Sequence, residues 1–175
     1  MVRIRIPRVG KINVYNTHLC ADCVPEDRQE QVEELLEFLN AIEGFFGGDD
    51  PLILGGDFNI DLNAADEATQ SAYELLTSAL VDTYAEKNGC TDCCSISDIE
   101  MGRFDDCTFG FPDNPFGGRT PKRIDYIFSR KGQWSPNESR VVFNNPAEGD
   151  VVSTMQVFLQ SSTCLMGLYP LVALR

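Results

Sequence analysis

The sequence predicts an α/β protein built on mixed β-sheets, and three observations lead there. Stretches that alternate apolar and polar residues with period two are interleaved with stretches whose apolar residues recur at helical spacing. Short apolar runs of the kind buried on both faces open directly into polar clusters, as strand ends do in sheets covered by helices. The balance of 43% hydrophobic to 23% charged residues is that of a packed globular domain.

The first fifteen residues alternate apolar and basic side chains like a strand and lack the apolar core of a signal peptide. A chain that begins inside an element is expected to be N-terminally truncated. Lys11 to His18 is β-rich with the same alternation, which puts Asn16 and His18 on one face of its C-terminal end. After a loop with Pro25, Val32, Leu35, Leu36, Leu39 and Ile42 define an amphipathic helix, closed by Gly44 and the Gly47-Gly48 pair.

Pro51 to Leu54 is a buried-type strand leading into Gly55-Gly56-Asp57-Phe58-Asn59. A second helix is predicted from about Glu67 to Tyr84, with Ala72, Leu75, Leu76, Ala79 and Leu80 inward. Glu86 to Pro121 reads as a long loop, and loops of that length in compact domains are usually functional or disordered. Strands follow at Arg123 to Arg130, Arg140 to Asn144, Val151 to Phe158 and Leu168 to Leu174.

At 175 residues, 1–175 forms a single domain or part of one. Twenty-seven acidic against 14 basic residues give a net charge of -13, which repels polyanions and argues against a long nucleic-acid footprint. No apolar run approaches the roughly 18 residues of a membrane span, so a soluble chain is expected. Of the seven cysteines, Cys20 and Cys23, like Cys90 and Cys93, have zinc-type spacing, but the stretch between the pairs is far longer than in a zinc ribbon. Free thiols, or one bridge within the loop that holds Cys90, Cys93, Cys94 and Cys107, are the expectation.

Three polar clusters stand at strand ends: Asn16-Thr17-His18-Leu19, Gly55-Gly56-Asp57-Phe58-Asn59 and Arg123-Ile124-Asp125-Tyr126-Ile127. An ionisable side chain in an otherwise buried strand costs free energy unless it is paired or binds a metal, so three of them in one small domain point to a site. In this order and at these separations the motifs resemble those of the endonuclease/exonuclease/phosphatase superfamily, from about Val2 to Pro146, with Tyr169-Pro170-Leu171-Val172 similar to its closing strand. Within it, Val14 to Leu19, Leu80 to Tyr84 and the Cys-Thr loop leading to Ile124-Asp125-Tyr126 look most like neutral sphingomyelinases.

The resemblance implies part of a four-layer α/β/β/α sandwich with mixed β-sheets, the inner face of one sheet left under-covered. It also implies Mg2+-dependent hydrolysis of a phosphodiester, a phospholipid headgroup among the candidates. By resemblance, Asp57 orients or deprotonates the attacking water, Asn59 holds phosphate or nucleophile beside a magnesium ion bound by Asp57 and Asn59, and His18 donates to a phosphoryl oxygen. Asn16 and Arg123 are the candidate substrate-binding residues. Asp125 in such enzymes supports a second histidine, but the aligned positions here are Gly167 and Leu168, and His18 is the chain's one histidine. The family's upstream metal-binding Glu would precede Met1, so weak, millimolar-range magnesium affinity is expected.

Arg119, Lys122 and Arg123 suit either an electropositive lip or an ordinary solvated loop. Phe109, Phe111 and Phe116 suit either peripheral membrane contact or anchoring of the loop to the core.

Overall fold

The structure is a computed structural model that describes residues 1–46, 48, 50–110, 120–142, 154–161 and 171–172. Two sheets carry it. β1 (Val2–Ile6), β2 (Gly10–His18), β3 (Leu52–Asp57), β4 (Leu80–Asp82) and β5 (Asp125–Arg130) form a five-stranded mixed sheet in the order β1-β2-β3-β5-β4. β6 (Trp134–Val142), β7 (Thr154–Ser161) and β8 (Leu171–Val172) form an antiparallel sheet.

Alternation along the strands divides the core in two. Tyr15, Leu52, Leu54, Tyr126 and Phe128 face one side of the first sheet and pack on Val32 and Leu39 of α1 (Pro25–Phe46) and on Ala72, Tyr73 and Leu76 of α2 (Glu67–Ala79). Ile12, Ile53 and Ile127 face the other side and meet Trp134 and Val141 of β6. The described residues thus build helices, sheet and sheet in successive layers, the mixed α/β architecture expected. On the same inter-sheet face Val2 and Ile4 remain exposed, whereas Ile6 of β1 packs against this cluster.

α1 starts at Pro25, which the sequence suggests for the loop; its fixed φ and missing N–H suit the first helical position. Gly44 lies within the last turn, and the helix ends only at Phe46. Beneath it, Glu43 accepts hydrogen bonds from Asn13 Nδ2 and the Tyr15 hydroxyl and pairs with Arg130 at 2.7 Å, which fixes the helix on the sheet.

The helix expected to run to Tyr84 stops at Ala79. Leu80 and Val81 continue its apolar spacing, but they pair with Arg130 and Ser129 as β4, and Asp82 then caps α3 (Thr83–Asn88) by accepting from Tyr84 and Ala85 N–H. Tertiary pairing overrides helix propensity there. The expected loop from Glu86 to Pro121 contains the end of α3 and a short α4 (Ile96–Glu100). The strand expected from Arg140 begins earlier, at Trp134.

The cysteine expectation is corrected too. Cys20–Cys23, Cys90–Cys93 and Cys94–Cys107 are disulfides, so neither free thiols nor a zinc site describes these six residues. Among the described residues no helix is long and apolar enough to cross a membrane.

Candidate active site

The candidate residues meet where three neighbouring strands end. β2 and β3 run parallel with His18 opposite Asp57, and β5 runs antiparallel to β3 with Asp125 opposite Asp57. Directly facing residues project to the same side of a sheet, so His18, Asp57 and Asp125 form a row. Alternation from Ile12, Ile53 and Ile127 puts that row on the inter-sheet face, at its open end.

His18 Nε2 stands 3.7 Å from Asp57 Oδ2. The imidazole side chain is 69% exposed and the carboxylate 12%, so Asp57 lies in the wall and His18 at the mouth. Asn16, opposite Gly55, is exposed one step back along the same face. Asp125 is half-buried and is not without partners.

The loop after β3 is held from both flanks. Leu19 N–H donates to Asp57 O at 2.9 Å and Phe58 N–H to Ile124 O at 2.8 Å, while the fully buried Phe58 ring packs edge-on against Tyr126 and Phe128. Asn59 adopts φ 51°, a left-handed conformation that Asn tolerates better than most residues. Its N–H donates to Asp57 Oδ1 at 3.0 Å and its Nδ2 to Leu19 O at 2.9 Å. With Nδ2 committed to Leu19, the planar amide turns Oδ1 the opposite way.

The chain reaches this geometry through Gly56. At φ 149° it lies where a Cβ would stand 1.9 Å from Thr17 O, so β2 and β3 approach closely only because the side chain is missing. Tyr126 adds support from below: its hydroxyl donates to Ile60 O at 2.8 Å, and burial pushes the phenol above its ordinary range, so it remains a donor.

Arg123 is not part of the row. It is 2% exposed, with Nη2 2.5 Å from Asp82 Oδ2 and the guanidinium carbon 4.4 Å from the Tyr126 ring centre. Its role in binding substrate is therefore corrected: the charge is spent inside the core, where it neutralises the carboxylate that caps α3. Lys122 Nζ lies 5.5 Å from the Phe109 ring centre, and the two residues pair as an isolated bridge, so Phe109 anchors the loop. Arg119, Phe111, Phe116, Gly167 and Leu168 lie outside the described residues.

Asp57, Asp125 and Asn59 Oδ1 are hard oxygen donors of the type magnesium takes, with water and substrate oxygens completing its shell. Among the described residues no group of three or more His, Cys, Asp or Glu is placed to hold a metal ion.

The sequence profile of the Endonuclease/Exonuclease/phosphatase family matches residues 3–150. The chain belongs to this family. An endonuclease/exonuclease/phosphatase family protein from Leptotrichia buccalis matches at 26% identity and TM-score 0.57, over 90% of this chain and 52% of its own. The human nocturnin catalytic domain with bound sulfate matches at 19% identity and TM-score 0.57, over 91% and 51%. A mannosyl-6-phosphatase of Bacteroides thetaiotaomicron matches at 17% identity and TM-score 0.51, over 84% and 50%. The last two show the fold alone. This family member spans about half the length of the solved structures it matches. No curated protein matches it.

Proposed function

We propose that this chain is a magnesium-dependent phosphodiester hydrolase of the endonuclease/exonuclease/phosphatase family, with sphingomyelin-like phosphodiesters as its substrate class. The observation that carries the reading is the row of His18, Asp57 and Asp125 across β2, β3 and β5. In-line hydrolysis needs a base or positioner for water and hydrogen-bond donors for the phosphoryl oxygens. Asp57, its Oδ1 fixed by the Asn59 N–H, orients the water; the exposed His18 donates to a phosphoryl oxygen; Asn16 lines the approach. A magnesium ion at Asp57 and Asn59 would neutralise phosphoryl charge when bound.

A second reading, a catalytically inactive fragment or pseudoenzyme, is favoured by one specific observation: the chain has one histidine, where enzymes of this type are expected to use two. Losing one such electrostatic or acid–base group costs roughly 100- to 1000-fold. The two readings divide on magnesium-dependent turnover of sphingomyelin and of a chromogenic phosphodiester, compared with Asp57→Ala. Weak turnover lost in the variant supports the hydrolase; turnover identical in parent and variant supports the inactive chain. A single-stranded DNA oligonucleotide as third substrate tests the nuclease alternative, which the solved structure of D. rerio TDP2 with a single-stranded DNA product raises. Calorimetry should give magnesium affinity in the millimolar range, abolished by Asp57→Ala.

A further inference from the structure

The start of β5 is set by a residue of the Cys-Thr loop to which the proposed chemistry gives no role. The β4 ladder with β5 ends at Asp82 opposite Phe128, so among the described residues the first residues of β5 have no strand beside them on that edge. Thr108 Oγ1 stands there instead. It accepts from Ile124 N–H at 3.1 Å and from Asp125 N–H at 3.2 Å, and Thr108 is 1% exposed.

The same peptide is held from the other side, since Ile124 O accepts from Phe58 N–H, directly after Asp57. Thr108 is in turn fixed. Its own N–H and that of Phe109 both donate to Lys122 O at 3.0 Å, and Lys122 N–H donates to Phe109 O. The preceding residue, Cys107, is fully buried in a disulfide to Cys94, whose carbonyl accepts from Asn63 Nδ2 at 2.8 Å. Asn63 belongs to the loop that follows Asp57 and Asn59. The hydroxyl therefore closes a ring of contacts that runs from the β3 end through the disulfide to the β5 start.

We propose that Thr108 is a positioning residue: its hydroxyl holds the Ile124–Asp125 backbone so that the Asp125 carboxyl stands beside Asp57. Valine at this position has nearly the same shape but cannot accept the two N–H groups, and buried donors without partners are costly. The Ile124–Asp125 segment would then rotate or rise to find water. A displacement on the order of 1 Å at a reacting group costs up to roughly 100-fold in rate. Serine keeps the acceptor.

This inference rests on Asp57 and Asp125 sharing a site, so its test includes readouts independent of turnover. Amide hydrogen exchange at Ile124 and Asp125, and the 13C pH profile of the Asp125 carboxyl, are measured in the parent, Thr108→Val and Thr108→Ser. The two amides should be protected in the parent, exchange at least roughly 10-fold faster in Thr108→Val, and recover in Thr108→Ser, with the carboxyl profile following the same order. In any substrate that the parent turns over, Thr108→Val should lower kcat roughly 10- to 100-fold with KM little changed, and Thr108→Ser should restore it.

Unprotected amides in the parent would overturn the proposal even if Thr108→Val does not fold. A carboxyl profile identical in parent and folded Thr108→Val, or a Thr108→Ser variant no better than Thr108→Val, would overturn it too. Absence of turnover in the parent counts against the hydrolase reading and leaves the amide and carboxyl tests of Thr108 intact.

Discussion

At the scale of single residues, Arg123 shows how burial decides what a charge does. The sequence places it in the densest basic group near Asp125, and charge density alone suggests a lip for an anion. The structure turns it inward onto Asp82, with Tyr73 donating to the same carboxylate at 2.9 Å and the Tyr73 phenol pushed above its ordinary range by burial. Arg123→Met should therefore act on stability: removing the cation leaves Asp82 charged and buried, a loss of about 3–5 kcal/mol. Urea titration of the folded chain measures it. A midpoint within error of the parent would mean that Asp82 finds another partner. Nothing in the local sequence separates this arginine from a surface one, because its partner lies forty-one positions away, in a strand that reads as helix.

At the scale of elements, β2 and β3 were readable because alternation and a short apolar run ending in polar residues are local signals. The β4 strand was not, since Leu80 and Val81 satisfy helical spacing as well as β-pairing and only β5 decides between them. The start of α2 was readable within a residue, and its cap explains why. Asp66 Oδ1 accepts from Thr69 N–H at 2.7 Å. Partial burial raises the Asp66 pKa, but the Thr69 hydrogen bonds outweigh it and hold the carboxyl below its ordinary value. The sign follows: a carboxyl whose folded pKa is depressed contributes stability that is complete above its unfolded value, near 3.8, and disappears as pH falls through the folded value. Asp66→Ala should cost about 1 kcal/mol at neutral pH, and the difference from the parent should shrink in strong acid. Thermal melts of both chains across that range give the answer; a constant difference would remove the charged cap from the account.

At the scale of the whole molecule, the disulfides do what the core alone is not asked to do. Pairing could not be read from cysteine spacing, because Cys90, Cys93, Cys94 and Cys107 lie close enough in sequence to join in several ways. The structure joins Cys94 to Cys107 under the loop that reaches β5, and the two short bridges pinch single turns. By chain entropy a bridge across 13 positions contributes about 3 kcal/mol, and one across 3 positions contributes less. The Cys94→Ala/Cys107→Ala pair should therefore lower Tm more than Cys20→Ala/Cys23→Ala does. The reverse order in calorimetric melts would show that the loop is held by its hydrogen bonds. Such stapling suits an oxidising compartment, where bridges of this kind persist.

The two glycines before Asp57 are adjacent and identical on paper, yet the sheet treats them oppositely. A Cβ on Gly55 would meet Ile127 Cγ1 at 3.7 Å and Tyr126 O at 3.8 Å, ordinary packing distances, whereas one on Gly56 would overlap the Thr17 carbonyl. In terms of sequence drift, position 55 is open to small residues and position 56 is closed to all of them. A library randomised at both positions and selected for folded protein should return alanine at 55 and glycine alone at 56, because a side chain there combines backbone strain with a steric overlap, together about 2–6 kcal/mol. Recovery of alanine at 56 would mean that β2 and β3 can separate without loss of the fold. If they cannot, the row of His18, Asp57 and Asp125 stays aligned only in descendants that keep one hydrogen atom where every other residue has a side chain.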